Sequence, residues 1–204
     1  MAGSTIEAYA AAFESIANDS RVPAAIRAWR RSAFDRFATL GFPTPKNEDW
    51  HYTSVASIAD HEFGLLTARS GDIGRDDLAP FMFGVRDWHT LVFVNGIYAP
   101  ELSDRGKLPA GVELTELSAA WSTSPDVADR LGSVARHDTA AFTALNAAFA
   151  QDGAVIRIAR GVEVEQPIHL LFVTDAAAAR AMVHPRNLIV VERHAKATII
   201  ETYA

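Results

Sequence analysis

Four short runs rich in β-branched residues occupy the last quarter of the chain: Ala154-Val155-Ile156-Arg157-Ile158, then Ile168–Val173, Asn187–Glu192 and Ala197–Thr202. Val, Ile and Thr favour strands because their branched side chains pack well on a pleated surface. The segments between the runs are of turn or loop length, whereas a parallel βαβ unit needs a crossover of about a dozen residues or more. The spacing therefore excludes a parallel βαβ sheet and leaves a meander, a sandwich or the first rungs of a β-solenoid.

The final run, Ala197–Thr202, approaches the end of the sequence still in strand register. A strand left at the edge of a sheet exposes unpaired backbone groups, and solenoids need a polar cap over their last repeat. We therefore expect this chain to be the front part of a longer protein.

Two sets of apolar residues recur at helical spacing near the start of the chain. They are Ile6, Tyr9, Phe13 and Ile16, followed by Ile26, Trp29, Ala33, Phe37 and Leu40. Pro23 suits the first turn of the second helix, where its missing N–H costs nothing, and Gly41 suits the position just after the last turn. The pattern predicts two antiparallel helices.

Asn95-Gly96 marks a β-hairpin between the apolar runs Leu91–Val94 and Ile97-Tyr98. Asn and Gly tolerate the two positive φ angles that a type I′ turn demands. An apolar stripe within residues 126–150 predicts a further helix. Residues 64–87 are rich in Asp and Gly and show no clear period, so we expect them to be irregular.

The composition excludes several classes of protein. The 204 residues are 49% hydrophobic and contain no cysteine, so a disulfide framework, a thiolate zinc site and a cysteine nucleophile are all ruled out. The formal net charge is −6, and no basic stripe is available to neutralise nucleic-acid phosphates. No apolar stretch is long enough to span a membrane, and no secretory leader is recognisable. We expect a cytoplasmic protein that binds neither nucleic acid nor membranes.

Two sequence motifs resemble one known family. Phe42-Pro43-Thr44-Pro45-Lys46-Asn47-Glu48-Asp49-Trp50-His51-Tyr52-Thr53 is similar to a segment near the start of the SufD branch of the SufB/SufD family, the scaffolds of iron–sulfur cluster assembly. His51 stands where the family usually has Lys. A second motif comprises Phe142–Phe149, Asp152-Gly153 and the stretch up to Ile168, and it resembles the junction between the helical part and the β-helix in that family.

The resemblance implies an α+β fold: an N-terminal helical domain with a small β-hairpin, leading into the first rungs of a right-handed parallel β-helix that is truncated here. We place the domain boundary after residue 150, with a mainly helical domain over 1–150 and the start of the β-helix over 151–204. In the family the scaffold pairs with a SufB-like scaffold and a SufC-like ABC-type ATPase, and is not itself an enzyme. A homodimer is a further expected partner arrangement.

The resemblance carries no catalytic or cofactor-binding residue into this segment, and an iron–sulfur cluster is expected only in the full complex. The matched motif residues are expected to stabilise a packed loop, and they are Pro43, Lys46, Glu48, Asp49, Trp50 and Tyr52. The seven histidines show no i, i+2 or i, i+4 pair that would indicate a metal site. If any of them binds a metal, His184 and His194 are the candidates because they flank one strand.

Two other functions are compatible with the same pattern. A β-solenoid carbohydrate-active enzyme would need paired carboxylates, but Glu163, Glu165, Glu192 and Glu201 are scattered along the predicted strands. A purely structural interaction module would differ from the scaffold only in its partners.

Overall fold

The computed structural model describes residues 2–68, 71–84, 87–175 and 178–204. Its fold is mixed α+β. The helices are α1 (Ala2–Ala17), α2 (Ala24–Leu40), α3 (Ala56–Ala59), α4 (Arg75–Leu78), α5 (Leu117–Thr123), α6 (Asp126–Arg130) and α7 (Ala141–Phe149), with 3₁₀ turns at Glu48–Trp50 and Ala79–Phe81. The strands are β1 (Gly64–Leu65), β2 (His89–Val94), β3 (Ile97–Tyr98), β4 (Val112–Glu116), β5 (Ala154–Ile158), β6 (Ile168–Val173), β7 (Ala181–Met182), β8 (Leu188–Val191) and β9 (Ile199–Tyr203).

The chain packs as two compact units. The first comprises Met1–Leu65 with Trp121–Ala150, and the second comprises Leu66–Ala120 with Gln151–Ala204. The predicted boundary after residue 150 is one of the points at which the chain passes between the units. Residues 66–120, which were assigned to the first predicted domain, pack with the strands of 151–204.

Helices α1 and α2 form an antiparallel pair in the first unit, as their spacing predicts. Phe13 stacks on Phe34 with ring centroids 4.5 Å apart, and the ring of Tyr9, one turn earlier, lies 5.8 Å from that of Phe37, one turn later. Helix α2 ends where Gly41, with φ +66°, donates its N–H to the Phe37 carbonyl. Glycine adopts this left-handed conformation without steric cost, which explains the sharp stop.

A buried cation lies in the same unit. The side chain of Arg30 is 3% exposed, donates a hydrogen bond to the Ala150 carbonyl just after α7, and stands 4.9 Å over the ring of Trp121. Burial lowers the pKa of Arg30 to about 10, so the guanidinium is charged at neutral pH. A cation at the carboxyl end of a helix interacts favourably with the helix dipole, and the aromatic face adds to this stabilisation.

The second unit contains two sheets with mainly parallel pairing. In one sheet β2, β6 and β9 run parallel in that order, with β3 antiparallel on the outer side of β2. In the other sheet β5 and β8 run parallel, with β4 antiparallel on β5. Successive strands therefore alternate between the sheets: β8 lies on β5 and β9 lies on β6. This pairing rules out the meander, in which consecutive strands would be antiparallel neighbours.

The core of the second unit lies between these two sheets. Residues of both sheets form one buried cluster: Leu91, Phe93, Leu114, Ala154, Ile156, Ile158, Val164, Ile168, Leu170 and Phe172. The opposite face of β2 and β6 is also covered, because Val92, Val94 and Leu171 pack against Leu78 and Leu102. Burial on both faces explains why β6 is buried along its whole length and, apart from His169, apolar instead of alternating.

The predicted hairpin is confirmed: Asn95 and Gly96 have φ of 53° and 82°, and Val94 pairs with Ile97. The single helix predicted over 126–150 is wrong, because α6 ends at Arg130 and α7 begins only at Ala141. Gly132, with φ +80°, lies in the gap, and this left-handed conformation ends a right-handed helix. The segment predicted to be irregular contains α4. Among the described residues, no helix is long and apolar enough to cross a membrane.

Candidate interaction site

The loop between α2 and α3 carries the first motif, and its two large aromatic residues attach it to the helices. The ring of Phe42 lies 5.2 Å from that of Phe37 and 5.9 Å from that of Phe142. The ring of Trp50 also packs on Phe142, with the two ring centroids 5.2 Å apart. Aromatic pairs at this separation contribute about 0.5–1.5 kcal/mol beyond the area that they bury. Phe42 and Trp50 therefore hold both ends of the motif in place.

Hydrogen bonds within the loop fix its backbone. The side-chain oxygen of Asn47 accepts the backbone N–H of Thr44 at 2.9 Å, and the Trp50 N–H donates to the Asn47 carbonyl at 2.9 Å. Nδ1 of His51 lies 3.2 Å from the Pro45 carbonyl oxygen, as a donor to it. These bonds satisfy backbone groups that an exposed loop would otherwise leave to water, so the tip of the loop has one defined conformation.

Four of the six motif residues point away from this support. Lys46, Glu48, Asp49 and Tyr52 are exposed, and the ring of Tyr52 is 96% exposed. The side chains of Lys46, Glu48 and Asp49 make no hydrogen bond or ion pair within the residues that the structure describes. Helix α3 begins after Val55 without a side-chain cap, so neither Glu48 nor Asp49 caps this helix.

A mainly apolar cavity of about 290 Å³ opens beneath the two ends of this loop. Residues from both ends of the loop and from α3 line it together with Ile6, and they are Gly41, Phe42, Pro43, Thr44, Pro45, Ser54, Val55, Ala56, Ala59 and Asp60. All of its lining residues belong to the first unit. Pro43 thus lines the cavity and Trp50 anchors the loop, whereas the other four motif residues are exposed on the loop between Pro45 and Ser54.

The two candidate metal ligands are not brought together. His184 precedes β8 and His194 follows it, and a four-residue strand spans about 13 Å. His184 is half-buried, while His194 is exposed at a turn with φ +63°. Within residues 2–68, 71–84, 87–175 and 178–204, no group of three or more His, Asp or Glu side chains is placed to hold a metal ion.

Burial of the His184 ring lowers its pKa from 6.5 to about 4. The unfolded chain takes up this proton below pH 6.5, and the folded chain takes it up only near pH 4, so stability falls as the pH falls through this window. We expect His184→Gln to remove up to about 3 kcal/mol of the stability difference between pH 7 and pH 4. Urea unfolding at a series of pH values measures this. The exposed His194→Gln is the matched control, and equal pH profiles for both variants and the parent chain would contradict the assignment.

Asp152, just before β5, has a structural role that the sequence does not reveal. It is 4% exposed, and its Oδ1 accepts the N–H groups of Ser118 and Gly153 at 3.1 and 2.9 Å, while its Oδ2 accepts that of Tyr98 at 3.0 Å. Burial raises the pKa of this carboxyl, and the three N–H donors oppose that shift. The carboxylate joins the hairpin, the start of α5 and the start of β5. The sequence marks this position only through the Asp152-Gly153 pair of the second motif.

Comparison with known proteins identifies a family. The family model described as the SufBD protein N-terminal region matches residues 3–170. An iron–sulfur cluster assembly SufBD family protein of Synechocystis sp. is 34% identical over 177 residues, which are 85% of this chain and 38% of that protein. The iron–sulfur cluster assembly protein SufD of Escherichia coli is 30% identical over 165 residues, which are 80% of this chain and 36% of that protein.

The chain thus spans a little over a third of the length of these two relatives. The family match covers the loop, α7, β5 and the first residues of β6, and these segments include both motifs that carried the resemblance. With a family model over most of the chain and two relatives at 30% identity or above, the chain belongs to the SufBD family, in the part that the family model describes as the N-terminal region.

Proposed function

We propose that this chain is the N-terminal part of a SufD-like scaffold subunit that takes part in iron–sulfur cluster assembly without being an enzyme itself. The observation that carries the proposal is the family match over residues 3–170, together with a relative described as SufD at 30% identity. The first motif favours the SufD branch over the SufB branch. The cytoplasmic location expected from the sequence is part of the same proposal.

The stacked strands support a right-handed parallel β-helix as the fold of the core. Strands β5 and β6 form one rung, and β8 and β9 form the next, each in register with its predecessor. Phe93, Phe172 and Tyr203 stack across three neighbouring strands with ring centroids 4.8 and 4.9 Å apart. This is the spacing of the strands themselves, and such ladders of like side chains are what a repeating rung produces.

Further rungs would cover the outer side of the second rung. Ile189 and Val191 occupy the register positions of the buried Ile156 and Ile158 but are 41% and 46% exposed. Exposed apolar side chains on an edge strand accept another strand readily. In the proposal that strand belongs to the same subunit in the longer protein, and a second copy of this chain can occupy the same edge to form a homodimer.

The proposed partners are a SufB-like scaffold and a SufC-like ABC-type ATPase. These 204 residues contain no cysteine, so thiolate ligands of a nascent cluster would have to come from a partner or from a segment outside this sequence. In this proposal the described segment supplies architecture to the complex, and it binds no cofactor of its own.

An anaerobic affinity purification of the tagged endogenous protein tests this. We expect the bait to bring down an ABC-type ATPase and a cysteine-containing homologous scaffold, identified by mass spectrometry, and the intact mass of the bait to exceed 22.1 kDa. The same purification from cells in which the ATPase gene is deleted is the control. A bait that arrives alone, with neither protein enriched over an untagged strain, would contradict the scaffold proposal.

A further inference from the structure

The exposed motif residues lie in the stretch of chain between Pro45 and Ser54, which both line the apolar cavity, and their side chains are not used by the fold. Lys46, Glu48 and Asp49 have no partner in the described chain, and Tyr52 exposes almost its whole ring. Their backbone is nevertheless fixed by the Asn47 turn and by two aromatic anchors. A rigid loop that presents unpaired charges and an exposed aromatic residue has the composition of an interaction surface, since aromatic residues are enriched where proteins contact each other.

The size of the cavity indicates what could enter it. At about 290 Å³ it lies just below the usual range of small-molecule pockets, and an apolar cavity of about 150 Å³ already holds a benzene ring. The space therefore suits one large or two small apolar side chains. Most of its lining residues are apolar, as Phe42, Pro43 and Val55 are, while Thr44, Ser54 and Asp60 are its polar members, so a mainly apolar group fits it best.

The charge around this cavity is negative. Residues 42–62 contain one lysine against four carboxylates, namely Glu48, Asp49, Asp60 and Glu62. Asp60 lines the cavity itself, and all four carboxylates are exposed. Such a surface repels phosphate groups and anionic lipid headgroups and attracts Lys and Arg side chains.

We propose that the cavity and the loop tip together bind a basic amphipathic segment of a protein partner. An apolar side chain of that segment enters the cavity between Pro43 and Ala59. Its Lys or Arg side chains pair with Glu48, Asp49 and Asp60, and its apolar surface contacts the ring of Tyr52. The proposal does not depend on the scaffold function, because every residue that it uses lies in residues 42–60.

A synthetic peptide serves as the probe: 18 residues of Leu and Lys only, patterned so that Leu covers one helical face, with a fluorescent label for anisotropy. We expect the triple variant Glu48→Gln, Asp49→Asn, Asp60→Asn to weaken binding about tenfold, the sum of three exposed ion pairs. The control triple variant is Asp72→Asn, Asp76→Asn, Glu165→Gln, which removes the same charge from exposed sites of the second unit and should change affinity less than about twofold.

The apolar half of the proposal has its own test. Ala59→Phe fills the cavity and should weaken binding of the Leu/Lys peptide at least as much as the charge variant does. Tyr52→Ala tests the aromatic contact separately and should also weaken binding of the Leu/Lys peptide. Tyr52 is 96% exposed, so its removal leaves the core of the unit intact. Circular dichroism and urea unfolding confirm that each variant is folded.

Two results would overturn the proposal. If both triple variants weaken binding equally, the peptide follows only the net charge of the chain. If the Ala59→Phe and Tyr52→Ala variants both bind as tightly as the parent protein, the cavity and the aromatic ring take no part. A peptide in which Glu replaces every Lys should not bind, and binding of that peptide would equally count against the proposal.

Discussion

Replacing Asp152 with Ala is expected to lower the free energy of unfolding by about 3 kcal/mol. The substitution leaves three buried N–H groups, those of Ser118, Gly153 and Tyr98, without an acceptor. Each unsatisfied buried donor costs about 1–3 kcal/mol. The substitution also removes the cost of burying a carboxylate, which offsets part of this loss. Burial raises the pKa of Asp152 by disfavouring the charged carboxylate, which is the cost of burial that the substitution removes. Three donors outweigh it because each of them is held within 3.1 Å of the carboxylate.

The Asn variant separates the contributions of the two oxygens. Asp152→Asn keeps one oxygen for Ser118 and Gly153 but turns an NH₂ group toward the N–H of Tyr98, so we expect a loss of about 1–2 kcal/mol, smaller than that of Ala. Urea unfolding followed by tryptophan fluorescence measures both variants, and amide exchange at Ser118 and Tyr98 locates the effect. Asp72→Ala, at an exposed carboxylate, is the control. Equal unfolding midpoints for the Ala variant and the parent protein would show that the carboxylate does not hold this junction.

The elements that the sequence predicted correctly are those that local rules determine. The apolar spacing of α1 and α2, the stop at Gly41 and the Asn95-Gly96 turn depend on neighbours within a few residues. Strands β5, β6, β8 and β9 were predicted within two residues of their bounds, whereas the two-residue strand β7 was not predicted. Which strands lie together could not be read from the sequence, since a run such as Ile168–Val173 is equally apolar in a meander, a sandwich or a stack of rungs.

The site was harder to predict because its parts are separated along the chain. The motif predicted the loop but not the cavity, which needs Pro43 from one end of the loop and Ala59 from the short helix α3 that follows it. Asp152 shows the same limit. Two of the residues whose N–H groups donate to its carboxylate, Ser118 and Tyr98, lie 34 and 54 residues away along the chain. A polar residue that binds distant backbone groups leaves no periodic pattern in the sequence. The close approach of backbone at the neighbouring Gly153 leaves none either.

Gly153→Ala is expected to lower the free energy of unfolding by about 3 kcal/mol, because the backbone that leads into β8 passes close to this residue. A Cβ added there would lie 2.1 Å from the carbonyl oxygen of Arg186 and 2.7 Å from its carbonyl carbon. Both atoms belong to the backbone that leads into β8, which no side-chain rotation can move away. The N–H of Arg186 also donates to the Asp152 carbonyl at 3.0 Å, so relief of the clash would break the first contact between the rungs.

Gly161 provides the matched control for this prediction. It has a left-handed φ of +74°, but a Cβ there would meet nothing within 4 Å. Gly161→Ala should therefore cost only the backbone preference, about 1 kcal/mol, and the additional loss in Gly153→Ala combines the close approach of Arg186 with the strain of Ala at the φ of +152° that Gly153 adopts. Hydrogen exchange of the β8 amides should accelerate in Gly153→Ala and stay unchanged in Gly161→Ala. If the two variants lose the same free energy of unfolding, the backbone before β8 moves aside without cost. The pairing of β8 with β5 would then be too loose to fix the position of the strands proposed to follow it.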